Sequence, residues 1–380
     1  MYRVVRFNQK KILLVQLASH GDCLFVTVIA RQIKEVDYPG CHLTWMIGAP
    51  YKKVIEGNFY IDEIIEISMT QNNPAPERLR INKHISDIQN NQEFDKIFIT
   101  DCVNENLKNW YGTTRSSLFR SYPHKLKVSV EPMIFLTGNE IHNVKKFAEH
   151  HSLIDNASNI LFECAPQSAQ SNMTFERAYE ISSEVICHFP KVKFILSSSN
   201  AFVSSNPNII DGSVISWKEN SELTKYCHLM VGCSSGISWL NTSNHGQKIP
   251  MVQDINPNYW ESFISASVKV DFQYFGLKTN KLIEFENASN QQLIDCILQV
   301  LENGFTHTKD MLSLGSQIYY GSRFTIDVLK NGSFKRGNCE NLKLTTYLIK
   351  KEFEKRCNDF RILVVAFLSK FFKYLKKNLK

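Results

Sequence analysis

The feature that most constrains this chain is an alternation: a short apolar run, a small polar turn, then apolar residues at helical spacing. Ile12-Leu13-Leu14-Val15 leads into Ala18-Ser19-His20-Gly21-Asp22, after which Leu24, Phe25, Val28, Ile29, Ile33 and Val36 mark one helix face until Tyr38-Pro39-Gly40. Apolar runs without polar alternation belong to strands covered on both faces, as in parallel sheets. His42 to Ile47, Ile64 to Ile67 and Phe94 to Ile99 read as the next strands.

A less regular stretch holding Pro123 and Pro132 interrupts the pattern, which then resumes. The second half predicts strands over 160–164, 192–196, 228–231 and 249–252. Helices are predicted over 174–188, with Thr174 as its cap, over 221–226, and from about Ser235. The expected architecture is α/β, with two Rossmann-like domains, residues 1–150 and 151–335, each built on a parallel sheet. A helical, basic, amphipathic tail over 336–380 completes it.

With 380 residues, 43% of them hydrophobic, the chain can bury a core large enough for two domains. A net charge of +7 is modest at this length, and much of the excess sits at the C-terminus, so no nucleic-acid reader is expected. Ten scattered cysteines without a CxxC pair suit reduced thiols in a cytoplasm and no structural metal. Met1 to Lys11 has no signal-peptide character. No DxD triplet occurs, so a metal-bridged diphosphate is not expected, and no cofactor is implied.

In open α/β sheets ligands bind beyond the carboxyl ends of the strands. Four loops therefore hold the candidates: Ser19 to Asp22, Ala165 to Asn172, Ser197 to Asn200, and Gly232 to Gly236. Asp22 has two readings there, a helix cap, which spacing alone favours, or a base that takes a proton from a bound hydroxyl. Ser19, His20 and Gly21 would then meet the acceptor.

Gly232-Cys233-Ser234-Ser235-Gly236 joins a strand to a helix, where free amides with the hydroxyls of Ser234, Ser235 and Ser238 suit a diphosphate. The same residues match GxSxG, the elbow of a serine hydrolase with Ser234 as nucleophile. That rival lacks a convincing acid and histidine downstream, with only His245 and His307 remaining. Close helix packing is the plain alternative to both. Ser168, Gln170, Ser171 and Ser199 suit phosphate or ribose, or simple solvation. Trp217 suits a nucleobase, or the core.

From Ile362 a helix would carry Val364, Phe367, Leu368, Phe371, Phe372, Leu375 and Leu379 on one side and five lysines largely on the other. Its apolar run falls far short of the ~20 residues needed to span a bilayer. Residues 360–380 fit either an anionic membrane surface, giving a peripheral location, or the protein's own core.

Lys11 to Leu17, Gly21-Asp22, Trp45 and Glu56 to Ile64 together resemble the N-terminal half of the heptosyltransferases of glycosyltransferase family nine. His228 to Leu240 resembles the family's donor motif, a strand ending in Gly-x-Asp-Ser/Thr-Gly, and Lys248 to Val252 resembles the strand that follows. The resemblance implies a GT-B fold, with the two parallel sheets facing a central cleft, and an inverting, metal-independent transfer from a nucleotide-sugar donor to a glycan or glycolipid acceptor, with Asp22 as base. It also implies a place in lipopolysaccharide or other surface-polysaccharide assembly. Ser234 stands at the motif's aspartate, Trp239 at its histidine, and no lysine follows the Ala165 loop. These departures change the charge around the diphosphate.

Overall fold

The computed structural model describes residues 9–69, 74–101, 112–113, 115–156, 158–166, 170–256, 264–265, 267–274 and 278–315. The C-terminal tail and Ser168 lie outside them, so the expectations placed on both stand outside the described residues.

The first sheet is built from β1 (Lys11–Val15), β2 (His42–Gly48), β3 (Glu63–Ile67) and β4 (Lys96–Ile99), in the order β3-β2-β1-β4. All pairs are parallel, with Ile12 opposite both Leu43 and Lys96. Four of the five β1 residues are fully buried, as its unbroken apolar run requires of a central parallel strand.

The second sheet has six parallel strands in the order β12-β10-β9-β6-β7-β8. They are β6 (Asn159–Glu163), β7 (Lys193–Ser197), β8 (Ile209–Asp211), β9 (Leu229–Gly232), β10 (Met251–Ile255) and β12 (Leu282–Glu286). The expected α/β architecture with two parallel sheets is what the chain adopts. A two-residue ladder, β5 (Gly112–Thr113) against β11 (Ile264–Ser265), joins a segment from each half.

Helices lie in three layers about these sheets. α2 (Pro74–Asn90) covers the outer face of the first sheet, with Ile81, Ile85 and Ile88 on Leu13, Val15 and Met46. α5 (Phe175–His188), α9 (Asn290–Asn303) and α10 (Phe305–Gly315) lie on the outer side of the second, around Phe162, Phe194 and Ile283. Thr174 caps α5 as expected, accepting from the Arg177 amide, and Ser289 opens α9 with a full capping box.

The middle layer is shared by both halves. It holds α1 (His20–Gln32), α3 (Arg115–Arg120), α4 (Gly138–His150), α6 (Asn220–Leu223), α7 (Gly236–Leu240) and α8 (Val268–Tyr274). One apolar cluster runs from Ile12 and Leu14 on the first sheet through to Leu161, Met230 and Leu282 on the second.

Here the structure differs from the simple amphipathic helix expected after β1. Every residue of α1 from Cys23 to Ala30 is buried, not one face alone. The cause is the second half of the chain: Trp239, fully buried, sets its ring edge-on to Phe25 at 4.7 Å and against Phe272 at 5.6 Å, while Phe119 closes on Phe25 at 5.8 Å. A helix apolar all round needs apolar cover all round. The two halves therefore meet through a hydrophobic seam, the kind of contact that resists relative domain motion.

Candidate active site

Strand order singles out one crevice in each sheet. In the first, the chain runs from β1 outward through β2 and β3 and returns on the other side at β4, so the switch point lies between β1 and β4. In the second it lies between β6 and β9 by the same logic. The loops at these switch points are 16–19 with 100–101, and 164–174 with 233–235. They lead directly into both motifs singled out in the sequence, at the starts of α1 and α7.

On the first rim Ser19, not Asp22, occupies the N-cap of α1, and it makes no side-chain cap bond. Asp22 stands in the first turn, partly exposed, where the helix dipole favours its negative charge. The loop before it is anchored by Asp101, which lies just past β4. A single oxygen, Asp101 Oδ2, accepts the amides of Leu17 (2.8 Å) and Ala18 (3.2 Å) and the Gln16 side chain (3.2 Å).

Gln16 is held in turn by the Thr100 hydroxyl, which donates to its Oε1, and by the Trp45 indole, which donates to its carbonyl oxygen. Burial, more than any neighbouring charge, raises the Tyr51 phenol above its usual pKa. Sequence reasoning missed Asp101. Its signal was an aspartate directly after a predicted strand, and its value depends on β4 lying beside β1.

On the second rim the turn is wired inward. Glu163, at the end of β6, accepts the Cys233 amide (3.3 Å), and Gln253 Oε1 on β10 accepts the Ser234 amide (2.8 Å). The Ser238 hydroxyl donates toward Glu163 Oε2 (2.9 Å) and Gln253 Oε1 (3.0 Å), its one proton shared between them. A side chain at Gly232 would collide with Ser238 Oγ and the Gln253 amide and displace both from their bonds to this turn.

Holding both amides inward takes Ser234 into the left-handed region, φ 55°, a conformation that costs a side-chain-bearing residue roughly 1 kcal/mol or more. Ser234 is 0% exposed and Ser238 1%. Both serines form the inner side of the turn, with their hydroxyls covered. Burial of Ser234 also weighs against the hydrolase reading, since a nucleophile must reach its substrate. Of the acids downstream of Ser234, Asp254 is paired with Arg177, and His307 is exposed on α10.

Ser235 and Gly236 are the part of the turn that stays partly exposed. α7 is one short turn of five residues, much less than the helix expected there, and Ser235 gives it no side-chain cap bond. Gln170 and Ser171 are buried beside this rim. The Ser171 hydroxyl accepts the Met173 amide, and Gln170 Oε1 has no hydrogen-bond partner among the described residues. Ser199 is exposed just past β7.

The two rims touch. A Cβ built on Gly21 would lie 3.5 Å from Gly236 Cα, and one on Gly236 would lie 2.8 Å from Trp217 Nε1 and 3.1 Å from His20 Cβ. His20 bridges the junction, edge-on to Tyr51 at 5.0 Å and tilted on Trp217 at 5.1 Å, and burial holds its imidazole below the usual pKa. Trp217 is thus half-buried with one face on His20, and it packs against the shared core. The adjoining Lys218 ammonium reaches the Glu56 carbonyl and the Glu140 carboxylate at 3.4 Å each. The cleft expected between the domains is bridged at this point.

No protein-family model matches the sequence, and no curated protein matches it. Solved structures do. A glycosyl transferase of family 9 from Veillonella parvula superposes with a TM-score of 0.51 at 14% identity, over 78% of this chain and 91% of that one. The ADP-heptose lipopolysaccharide heptosyltransferase II of E. coli gives 0.46 at 12% identity, covering 77% and 99%. A UDP-N-acetylglucosamine 2-epimerase from Listeria monocytogenes gives 0.48 at 11%, covering 79% and 90%. With its two parallel-sheet domains and their facing switch points, the chain has the GT-B fold of the Veillonella glycosyl transferase.

Proposed function

We propose that this chain is a glycosyltransferase that moves a sugar from a nucleotide-sugar donor onto a hydroxyl of a glycan or glycolipid acceptor, in the assembly of lipopolysaccharide or another surface polysaccharide. The observation that carries the proposal is the apposition, through Gly21 and Gly236, of the two helix starts that follow the switch-point loops, one bearing Asp22 and one bearing Ser235 and Gly236. The family of the Veillonella neighbour agrees with it.

In this reading Asp22 takes the proton of the acceptor hydroxyl as its oxygen attacks the anomeric carbon. The bond to the diphosphate breaks on the opposite face, which inverts the anomeric centre, and no metal takes part. The leaving diphosphate is held by the Ser235 and Gly236 amides, and Gln170, Ser171 and Ser199 contact the rest of the donor. Ser19, His20 and Gly21 border the acceptor. We place the reaction in the cytoplasm, with residues 360–380 serving either an anionic membrane surface or the protein's own core. No helix among the described residues is long and apolar enough to cross a membrane.

A second reading, a GT-B protein that binds nucleotide without turnover, draws on the inward-turned Cys233 and Ser234 amides, which leave fewer donors for a diphosphate. Thermal-shift measurement against ADP, GDP, UDP and CMP, followed by turnover of the matching nucleotide sugars with a glycan acceptor, separates the two. The transferase reading expects one nucleotide to raise the melting temperature and its sugar to be consumed when acceptor is present. Stabilisation without consumption supports the binding protein, and no stabilisation by any nucleotide contradicts both.

A further inference from the structure

Glu163 is a buried carboxyl that the proposed reaction leaves unused. It ends β6, is 2% exposed, and meets the donor turn through the Cys233 amide and the Ser238 hydroxyl. The network around it fixes its protonation state. Ser238 Oγ lies 2.9 Å from Glu163 Oε2 and 3.0 Å from Gln253 Oε1, yet a serine hydroxyl has one proton for the two contacts. One more proton is needed among these oxygens.

Gln253 cannot supply it. The same Gln253 atom takes the Ser234 amide at 2.8 Å, and a backbone N–H only donates, so that atom is the side-chain oxygen and not its nitrogen. The missing proton therefore belongs to Glu163. A second distance agrees: the Cys233 amide stands 3.3 Å from Oε2, longer than the roughly 2.7–2.9 Å of charge-assisted bonds. Burial favours the neutral carboxyl as well. Around it stand the Cys164 and Cys233 thiols, both kept neutral by burial, and three further acids, Asp211, Glu176 and Asp254, the last paired with Arg177.

Resting on the transferase reading of the site, we infer that Glu163 is a protonated acid in the native protein and a positioning residue for the donor. Its O–H donates to Ser238 Oγ, Ser238 donates to Gln253, and Gln253 holds the Ser234 amide inward, leaving Ser235 and Gly236 as the exposed part of the turn. A carboxylate at this place would oppose a diphosphate held by those two residues, and the neutral acid does not.

The direct test is 13C NMR of protein labelled at the glutamate side-chain carboxyl, wild type beside Glu163→Gln, at neutral pH. The resonance that the variant lacks should lie at the protonated position, and one at the ionised position overturns the inference. Should the variant not fold, the wild type alone decides. One glutamate should stay protonated on the alkaline side of Glu284, whose carboxyl burial pushes up to about 7, and none doing so overturns the inference.

The positioning role is read from affinity. Titration calorimetry with ADP, GDP, UDP and CDP, each beside its nucleoside, compares the wild type with Glu163→Gln and Glu163→Ala. For the diphosphate that the wild type binds, Glu163→Gln, uncharged and with an N–H for Ser238, should bind equally well. Glu163→Ala should lose about tenfold or more, as one buried hydrogen bond is worth, with nucleoside affinity unchanged. Native affinity in Glu163→Ala, equal weakness in both variants, or a loss shared by diphosphate and nucleoside overturns the inference. If the wild type binds none of the four diphosphates, the transferase reading itself fails, while the NMR result stands apart from it.

Discussion

Gly21 and Gly236, one from each half of the chain, meet backbone to backbone: a Cβ on the first would sit 3.5 Å from the Cα of the second. The contact is asymmetric. A methyl at Gly21 finds ordinary van der Waals distances, whereas one at Gly236 meets Trp217 Nε1 at 2.8 Å, His20 Cβ at 3.1 Å and the Gly21 amide at 3.3 Å. Gly236→Ala should therefore destabilise by about 1–3 kcal/mol, the usual cost of overpacking, and Gly21→Ala by clearly less. Paired denaturant titrations check the order, and equal effects would mean that the domains do not pack this way.

The seam itself predicts a larger effect. Trp239 is fully buried between Phe25 and Phe272. Trp239→Ala should cost about 3–5 kcal/mol, and Trp239→Phe much less. Urea unfolding measures both. A near-neutral Trp239→Ala would show that the two halves are not joined through this ring.

Asp101 gathers two backbone amides and the Gln16 side chain onto one oxygen. Asp101→Ala leaves buried donors unmet and should cost about 1–3 kcal/mol. Because those donors set the loop leading to Asp22, turnover should fall by more than the stability loss explains. Turnover per folded molecule, measured below the melting temperature, tests this. An unchanged value removes Asp101 from the positioning of Asp22.

The strands were legible because an unbroken apolar run such as Ile12 to Val15 suits only a strand covered on both faces, and the observed β1 matches it within a residue. The loops bearing Asp22 and Ser235 were legible for the same reason, as they follow such runs. Strand order was not, since nothing local to Lys96–Ile99 says that it returns beside β1. With that order hidden, Asp101 and Glu163 looked like ordinary polar residues. The inward set of Ser234 and Ser238 depends on Gln253, fifteen or more residues further along the chain, so the hydroxyl-rich turn read as a ligand loop. The full burial of α1 was hidden too, because its second cover comes from Trp239.

Glu284 gives the fold a pH signature. Burial pushes its carboxyl up to about 7, although it accepts from the Ser267 hydroxyl and the amides of Val268 and Lys269 at the start of α8. A raised folded pKa means that the native state keeps a proton the unfolded chain releases above 4.5. This contribution is therefore complete below pH 4.5 and lost as pH rises to about 7, amounting to about 3 kcal/mol. Glu284→Gln should flatten the decline in melting temperature between pH 5 and pH 8. Identical profiles for the two proteins would show that Glu284 titrates normally.

The account rests on Asp22 as the base at the junction of the two domains. The direct measurement is sugar transfer by Asp22→Asn, with folding and nucleotide affinity followed in the same preparation. The account predicts native melting and native nucleotide affinity with transfer reduced at least ~100-fold, as for loss of a positioned base. Transfer at the wild-type rate by a folded, nucleotide-binding Asp22→Asn protein would contradict it.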